Sequence, residues 1–377
     1  MCKILIAGDF CPQDRITQLI ENADYSFFDN IKEVVGQSDY SIVNLECPTL
    51  EIEGQPIAKC GPSLKTPLKA IDAIKYAGFD CATLANNHFR DYGDNGCIST
   101  INELRKNSID YVGGGRNITE AQKTLLKVIN GKTLAIINIC ENEFSIATDT
   151  NAGSAPIDLI DNYNQITEAR KIADYVLVIV HGGHEGYQLP SPRMKKLYRH
   201  FVSIGADAVV NHHQHCYSGY EYFNNKPIIY GLGNFCFDSP SDRDGIWNEG
   251  YCVEINFADK EHTIRLHPYI QCNTEPKVLM MSNKDTASFY EKINHLNGII
   301  CNDYLLKESF NRFIEQRKHF TLSIFASYHN RYLNAAANKG WIPHITRKSE
   351  IGAMLNYLAC ESHRDITTNV LLQHLNK

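Results

Sequence analysis

The stretch YVLVIVHGGHE, residues Tyr175–Glu185, joins six apolar residues to a polar cluster. The apolar run is short and rich in valine and isoleucine, and it therefore predicts a β-strand buried inside a sheet. The strand ends at His181, and His184 and Glu185 follow within four residues. A buried strand that ends in metal-binding residue types is the feature from which both the fold and the function can be approached.

Four further apolar runs predict strands of the same kind. They are KILIAG at Lys3–Gly8, YSIVNL at Tyr40–Leu45, DCATLA at Asp80–Ala85 and DAVV at Asp207–Val210. Helical patterns lie between most of them; TPLKAIDAIKYAG, for example, has Pro67 near its start and Gly78 as its stop. Alternation of strands and helices predicts a mostly parallel sheet with helices on its faces.

Hairpin signals make the predicted architecture mixed. Asn130-Gly131 separates two apolar runs, which is a strong signal for a two-residue turn. The residue pattern changes near residue 285, after which the sequence is typical of helices and glycine is scarce. We therefore predict a first domain over residues 1–284 and a helical C-terminal region over 285–377.

Composition limits the classes of function and the compartment. The net charge of the 377-residue chain is -6, which argues against a nucleic-acid surface. No apolar stretch is long enough to span a membrane, and the first residues do not resemble a signal peptide. The thirteen cysteines contain no CxxC pair and predict buried thiols in a reducing compartment, so we expect a cytoplasmic protein.

Polar side chains follow each of the five predicted strands. In chain order they are Asp9; Asn44 and Glu46; Asn86, Asn87 and His88; His181, His184 and Glu185; His212, His213 and His215. Ligands of open α/β sheets bind beyond the carboxyl ends of the strands, so these segments are expected to meet at one rim. Imidazole, carboxylate and amide groups together suit Zn, Fe or Mn.

Simpler roles exist for several of these residues when each is taken alone. Asp9 could cap a helix, Asn86 and Asn87 could occupy left-handed turn positions, and His88 could be a core histidine. His212 lies beside His213 and is expected to point elsewhere, in a structural or substrate-facing role. The coincidence of five separate segments favours a metal site over these separate explanations.

The series GDF, NLECPT, NNHFRDYG, HGGHE, HHQH and YGLGNFCFD resembles the CapA-type capsule and poly-γ-glutamate biosynthesis proteins. These proteins are a branch of the calcineurin-like metallophosphoesterase superfamily. The resemblance spans about residues 3–240, in the family's order. It implies an α/β fold, a layered α-β-β-α sandwich, to which the C-terminal helical region is appended.

The resemblance also implies roles for individual residues. The metal ligands would be Asp9, Glu46, Asn87, His181, His213 and His215, with Glu46 bridging two ions. His88 would be the general acid or transition-state donor, and Asp91 would orient it. The expected substrate contacts or supporting residues are Asn44, His184, Glu185, His212 and Asn234.

Departures from the family pattern touch the same site. Cys11 stands where the superfamily has a histidine, which could weaken or abolish one metal position. Gly182 replaces a tryptophan, and His212 and Gln214 take the glycine and proline places of the last motif. Many relatives carry an N-terminal membrane anchor, which this sequence does not show.

The leading hypothesis is a hydrolase that depends on one or two divalent transition metal ions and cleaves a phosphoester in capsule or poly-γ-glutamate biosynthesis. Its substrate would be an anionic small molecule or polymer, and other capsule-biosynthesis proteins are possible partners. Hydrolysis of a γ-glutamyl amide is an alternative within the enzyme class. A non-catalytic assembly or binding component with a degenerate metal site is an alternative outside it. The sequence specifies neither the metal, the substrate nor the oligomeric state.

Overall fold

The computed structural model describes residues 2–50, 54–59, 61–324 and 330–343, without the side chains of 317–324. The chain divides into two compact units, and the boundary lies between Leu306 and Lys307. The predicted boundary at residue 285 stays a prediction. Within the described part of the chain, no helix has both the length and the apolar character needed to cross a membrane.

Sixteen strands form among the described residues. They are β1 Cys2–Phe10, β2 Tyr40–Leu45, β3 Cys81–Thr83, β4 Asp110–Val112, β5 Gly114–Gly115, β6 Leu125–Ile129, β7 Lys132–Cys140, β8 Gly153–Ser154, β9 Tyr175–His181, β10 Ala208–His212, β11 Tyr220–Phe223, β12 Lys226–Ile229, β13 Asn234–Cys236, β14 Glu249–Phe257, β15 Thr263–Gln271 and β16 Val278–Met280. The helices are α1 Asp14–Glu21, α2 Lys32–Gly36, α3 Ala70–Ala77, α4 Gly93–Lys106, α5 Ile118–Ala121, α6 Leu159–Ile172, α7 Pro192–Ser203, α8 Asn283–Cys301, α9 Asp303–Ile324 and α10 Arg331–Asn338.

Two large sheets carry the fold. The first has the order β16-β15-β14-β1-β2-β3-β4, with β13 also paired to β1. Its strands β1 to β4 are parallel, and β14 to β16 add an antiparallel flank. The second sheet has the order β11-β12-β10-β9-β7-β6, with parallel strands in the middle and antiparallel pairs at both edges. The predicted parallel core is therefore present in two sheets rather than one.

Alternation along β1 shows how the layers pack. Ile4 and Ile6 belong to the same core cluster as the apolar residues of β7, β9 and β10 in the second sheet. Leu5 and Ala7 belong to a separate cluster with the buried residues of α1, α3 and α4. Since successive side chains of a strand point to opposite faces, the first sheet lies between the second sheet and its own helices.

Helices α6 and α7 contact strands of the second sheet, which completes the layers. The predicted α-β-β-α sandwich, a mixed α/β fold, is confirmed. The central strands of each sheet are buried on both faces by this arrangement, which is why they are continuous apolar runs.

Tight turns join the antiparallel strands at the edges of the second sheet, one of them at the predicted position. Asn130 and Gly131 have φ values of 51° and 76° and join β6 to β7 as the predicted hairpin. Asn224 and Asn225 have φ values of 50° and 60° and join β11 to β12 in the same way. Positive φ at both central positions matches the right-handed twist of the flanking strands.

Candidate metal centre

The carboxyl ends of the central strands of both sheets deliver polar side chains to one place. Asp9 lies in β1, Glu46 directly follows β2, and Asn87 follows β3; His181 ends β9, and His213 and His215 follow β10. All six are buried. Three residues therefore come from the first sheet and three from the second.

One group of donor atoms is centred on His181. Its Nε2 lies 3.0 Å from Asn87 Oδ1, 3.1 Å from His213 Nδ1 and 3.9 Å from Glu46 Oε1. Ligand atoms of Glu46, His181 and His213 all lie within 4.8 Å of one another. Four atoms that could bind a metal, two from each sheet, thus lie close together.

A second group shares Glu46 with the first. Oε1 of Glu46 lies 3.6 Å from His215 Nε2, and Asp9 Oδ2 lies 3.8 Å from His215 Nδ1. Ligand atoms of Asp9, Glu46 and His215 also lie within 4.8 Å of one another. Because Glu46 belongs to both groups, it is placed where a carboxylate could bridge two ions.

The Glu46 carboxylate provides the sharpest test of whether these residues fit a metal. It is fully buried, and neither of its oxygens has a hydrogen-bond partner among the residues that the structure describes. Burial, followed by the nearby charge of Asp9, raises the pKa of Glu46 well above its usual value. A buried carboxylate without partners is costly, and a bound cation would remove that cost.

The histidines fit the same interpretation. Burial, followed by repulsion from neighbouring imidazoles, lowers the pKa of His181 well below its usual value. Burial and the charge of His215 lower the pKa of His213 to about 3. Both rings are therefore neutral at ordinary pH, which is the form that binds metal ions. The buried His, Glu and Asp groups could hold a metal ion, and two imidazoles with carboxylate and amide oxygens suit Mn, Fe or Zn.

Supporting residues fix the ligands from behind. The Asn44 side-chain amide donates a hydrogen bond to Asp9 Oδ1 at 2.7 Å and lies 3.3 Å from His181 Nδ1. Asn234 Oδ1 lies 2.9 Å from His215 Nδ1. Such contacts set ring orientation in metal sites.

The remaining residues of the predicted set occupy other positions. His212 Nε2 contacts the backbone carbonyl of Ala7 at 3.0 Å, so this ring faces β1 and lies outside both donor groups. His184 is half-buried and Glu185 is exposed. The charge of Glu185 still contributes, after burial and Asp9, to raising the pKa of Glu46, so it lies at the rim of the site.

The proposed acid and its partner form a close pair. His88 Nδ1 lies 2.7 Å from Asp91 Oδ2, and both side chains are buried. The backbone beside them is held from the loop between β7 and β8, because the Ser145 hydroxyl donates to the Asn87 carbonyl at 2.7 Å. The Leu64 N–H also donates to Asp91 Oδ2 at 2.7 Å.

Cys11, which the sequence resemblance marked as a departure, is buried in an apolar cluster with Cys47 and Phe237. Burial, then its hydrogen bond with Cys47, raises the pKa of the Cys11 thiol well above its usual value. Cys11 contributes no atom to either donor group found among the described residues. The group of Asp9, Glu46 and His215 therefore has one donor fewer than the group around His181.

Sequence reasoning missed several residues that the fold brings to the site. The side chain of Lys59 is only 4% exposed and contacts both Asp91 and His88. The ring of Trp247 lies 5.0 Å from that of His215, and Phe237 also contacts this histidine. Lys59 and Trp247 lie in loops without periodic patterns, so nothing in the sequence marked them, whereas Phe237 lies in the quoted motif YGLGNFCFD but was given no role.

Comparison with known proteins supports the resemblance. The chain is 31% identical to the capsule biosynthesis protein CapA of Bacillus anthracis, over 62% of this chain and 59% of that protein. It is 32% identical to the PGA biosynthesis protein CapA of Bacillus subtilis, over 56% of this chain and 57% of that protein. The chain thus spans less than two thirds of either relative.

Similarity to solved structures is weaker. A hypothetical protein from Thermus thermophilus is 14% identical, with a TM-score of 0.47 over 71% of this chain and 99% of that one. A 5'-nucleotidase from Candida albicans is 12% identical, with a TM-score of 0.41 over 83% of this chain and 57% of that one. Nothing about the activity of this protein follows from overlaps of this size.

The family model for bacterial capsule synthesis proteins matches residues 3–239, which include every residue of the two donor groups. The family predicted from the strand-end motifs is thereby confirmed. This chain belongs to the bacterial capsule synthesis protein family PGA_cap.

Proposed function

We propose that this protein is a metal-dependent hydrolase of capsule or poly-γ-glutamate biosynthesis, acting on a phosphoester. The observation that carries the proposal is the buried carboxylate of Glu46. It has no hydrogen-bond partner in the described part of the chain, and metal-binding atoms from both sheets surround it. Names of the two Bacillus relatives support the pathway. The free buried cysteines support the reducing, cytoplasmic location expected from the sequence.

Asp9, Glu46, Asn87, His181, His213 and His215 would hold one or two ions of Mn, Fe or Zn. When bound, such ions activate water and polarise a phosphoryl oxygen. The protein supplies the remaining parts. His88 donates a proton from Nε2 to the leaving oxygen, while Asp91 holds Nδ1 and fixes the orientation of the ring.

The two positions are expected to differ in affinity. The position around His181 has four donor groups, whereas the position around His215 has three, since Cys11 is buried with Cys47 and Phe237. This difference also favours the second candidate, a binding or assembly component whose metal site is degenerate. Activity measurements separate the two candidates.

The test begins with the full chain stripped by a chelator and reloaded separately with Mn, Zn or Fe. Each form is then assayed against a panel of phosphoesters and γ-glutamyl peptides. We expect phosphoester hydrolysis that depends on the added metal. Cleavage of γ-glutamyl peptides alone would assign the amide reaction, and no turnover with any metal would favour the binding component.

Two variants separate binding from chemistry. Glu46→Gln is expected to lose both metal and activity, because the shared carboxylate charge is removed. His88→Gln is expected to keep the metal content of the wild type and to lose roughly 100-fold or more in kcat. Full activity in His88→Gln would contradict the assigned role of this histidine.

A further inference from the structure

Lys59 lies in the connection between β2 and α3, whose described residues form no helix or strand. Its side chain is nearly as buried as a core residue, with 4% exposure. Its Nζ forms an ion pair with Asp91 and lies 3.2 Å from His88 Nδ1. A lysine is rarely buried without a specific partner, so the position calls for an explanation.

The Asp91 carboxylate is engaged on both oxygens by this segment. Oδ1 accepts from Lys59, and Oδ2 accepts from the Leu64 N–H while lying 2.7 Å from His88 Nδ1. The carboxylate therefore cannot rotate without breaking at least one of these contacts. Its Oδ2 is thereby kept within hydrogen-bond distance of the ring nitrogen of His88.

Charge points to the same role. Asp91 is fully buried, and Lys59 is the one lysine or arginine whose side chain forms an ion pair with it among the described residues. Removing the only strong counter-charge of a buried carboxylate destabilises the fold. This destabilisation is far larger than the net stabilisation that the complete ion pair provides. Lys59 thus allows Asp91 to remain in an apolar environment next to His88.

We infer that Lys59 is a positioning residue that clamps Asp91, and through Asp91 sets the orientation of His88. The inference rests on the proposed function, in which His88 transfers a proton. Lys59 acts through another residue and needs no contact with substrate or metal. Its removal should accordingly affect the chemical step and leave substrate binding and metal binding intact.

Lys59→Met tests this, because methionine keeps most of the side-chain volume and removes the charge. In the metal-loaded full chain with a hydrolysed phosphoester, we expect kcat to fall 10-fold to 100-fold, with KM within twofold and metal content unchanged. Lys59→Arg should recover a large part of kcat. Lys65→Met is the matched control, since Lys65 lies in the same segment and packs over the ring of Tyr92.

A wild-type kcat in Lys59→Met would overturn the inference, as would a loss of metal equal to the loss of rate. A second measurement does not depend on activity. Asp91→Asn removes the charge that Lys59 compensates, so Lys59→Met/Asp91→Asn should melt at a higher temperature than Lys59→Met. Additive losses in the double variant would contradict the clamp.

The kinetic measurement and the melting temperatures together distinguish a failure of this inference from a failure of the proposed function. If no substrate is turned over by the wild type, the proposed function fails and the melting temperatures alone decide the clamp. If the wild type is active and the double variant shows no recovery, the clamp fails and the hydrolase remains.

Discussion

His213 is a proposed metal ligand held in an unfavourable backbone conformation. Its φ is 92°, and that of His215 is 53°, so both residues lie in the left-handed region that favours glycine. The Asp9 carboxylate accepts a hydrogen bond from the His213 N–H at 3.2 Å, which helps to hold the loop. Strain of this kind persists at functional sites because the side chain is needed there.

Two replacements of His213 separate the cost of backbone strain from the loss of metal binding. Relative to His213→Ala, His213→Gly should be more stable by about 1 kcal/mol, since glycine adopts this φ without strain. Both variants should lose metal to the same extent. Urea unfolding and elemental analysis of the two variants give these quantities, and an alanine variant as stable as the glycine variant would argue against strain.

Asp207 illustrates a charge whose role is structural. Burial opposes its ionisation, but hydrogen bonds from His262 and Lys226 and from the Val176 N–H outweigh burial and lower the pKa of Asp207 to about 2. The carboxylate also pairs with Arg170 at 2.6 Å. A lowered pKa means that this group stabilises the fold when it is ionised.

The resulting pH dependence has a defined sign. The contribution of Asp207 is complete above the unfolded pKa of about 3.9 and is lost as pH falls toward 2. Between pH 6 and pH 2, the stability difference between the wild type and Asp207→Asn should shrink by roughly 2 kcal/mol. Urea unfolding at several pH values measures this difference, and a constant difference would contradict the assignment.

Among the elements, β1 and β13 approach each other closely enough to exclude a side chain. A Cβ on Gly8 would lie 1.9 Å from the carbonyl oxygen of Gly233, and that carbonyl accepts a hydrogen bond from the Asp9 N–H at 3.2 Å. Gly233 itself has a φ of 80°. The bend in GLGNF therefore sets the position of the first metal ligand.

Gly8→Ala is expected to destabilise the protein by more than about 3 kcal/mol or to prevent folding, because backbone would have to move. Gly298→Ala is the matched control. Gly298 lies on the exposed face of α8 with nothing within 4 Å of the added Cβ, so the change should stabilise by about 0.5–1 kcal/mol. A tolerated Gly8→Ala would mean that β1 and β13 can separate without loss.

A helix, strand or turn can be predicted well when the interactions that form it involve only neighbouring residues in the sequence. Apolar runs such as Tyr175–Val180 specify buried strands, and Asn130-Gly131 specifies a hairpin, because these preferences act over a few residues. The shift of register at Asp9, where β1 meets β2 and β13 together, depends on three strands at once. Nothing in the local sequence predicts it.

The whole molecule shows why the site could be predicted in part. Strand ends and the family resemblance named the residues that the fold brings together around Glu46. Lys59, Ser145 and Trp247 contact the site only because their loops close over it from distant parts of the chain. Such contacts follow from the assembled sandwich and have no periodic signal.

The proposed ligands come from both sheets, so a bound metal would link the two sheets of the sandwich. Asp9, Glu46 and Asn87 extend from the first sheet, and His181, His213 and His215 from the second. Binding only to the folded state should stabilise it by about 2.7 kcal/mol when free metal is 100 times Kd. We expect the melting temperature to rise by several degrees on metal addition, and to rise equally in His88→Gln.

For the Glu46→Gln variant, we expect the addition of metal to leave the melting temperature unchanged. A response of Glu46→Gln equal to that of the wild type would place the bound metal elsewhere in the chain.

The most direct measurement is anomalous diffraction from crystals of the full chain grown with Mn or Zn. The account predicts an anomalous peak within bonding distance of Glu46, His181, His213 and Asn87, with a second, weaker peak near Asp9 and His215. A map with no peak at Glu46, or with Glu46 satisfied by protein groups alone, would contradict it.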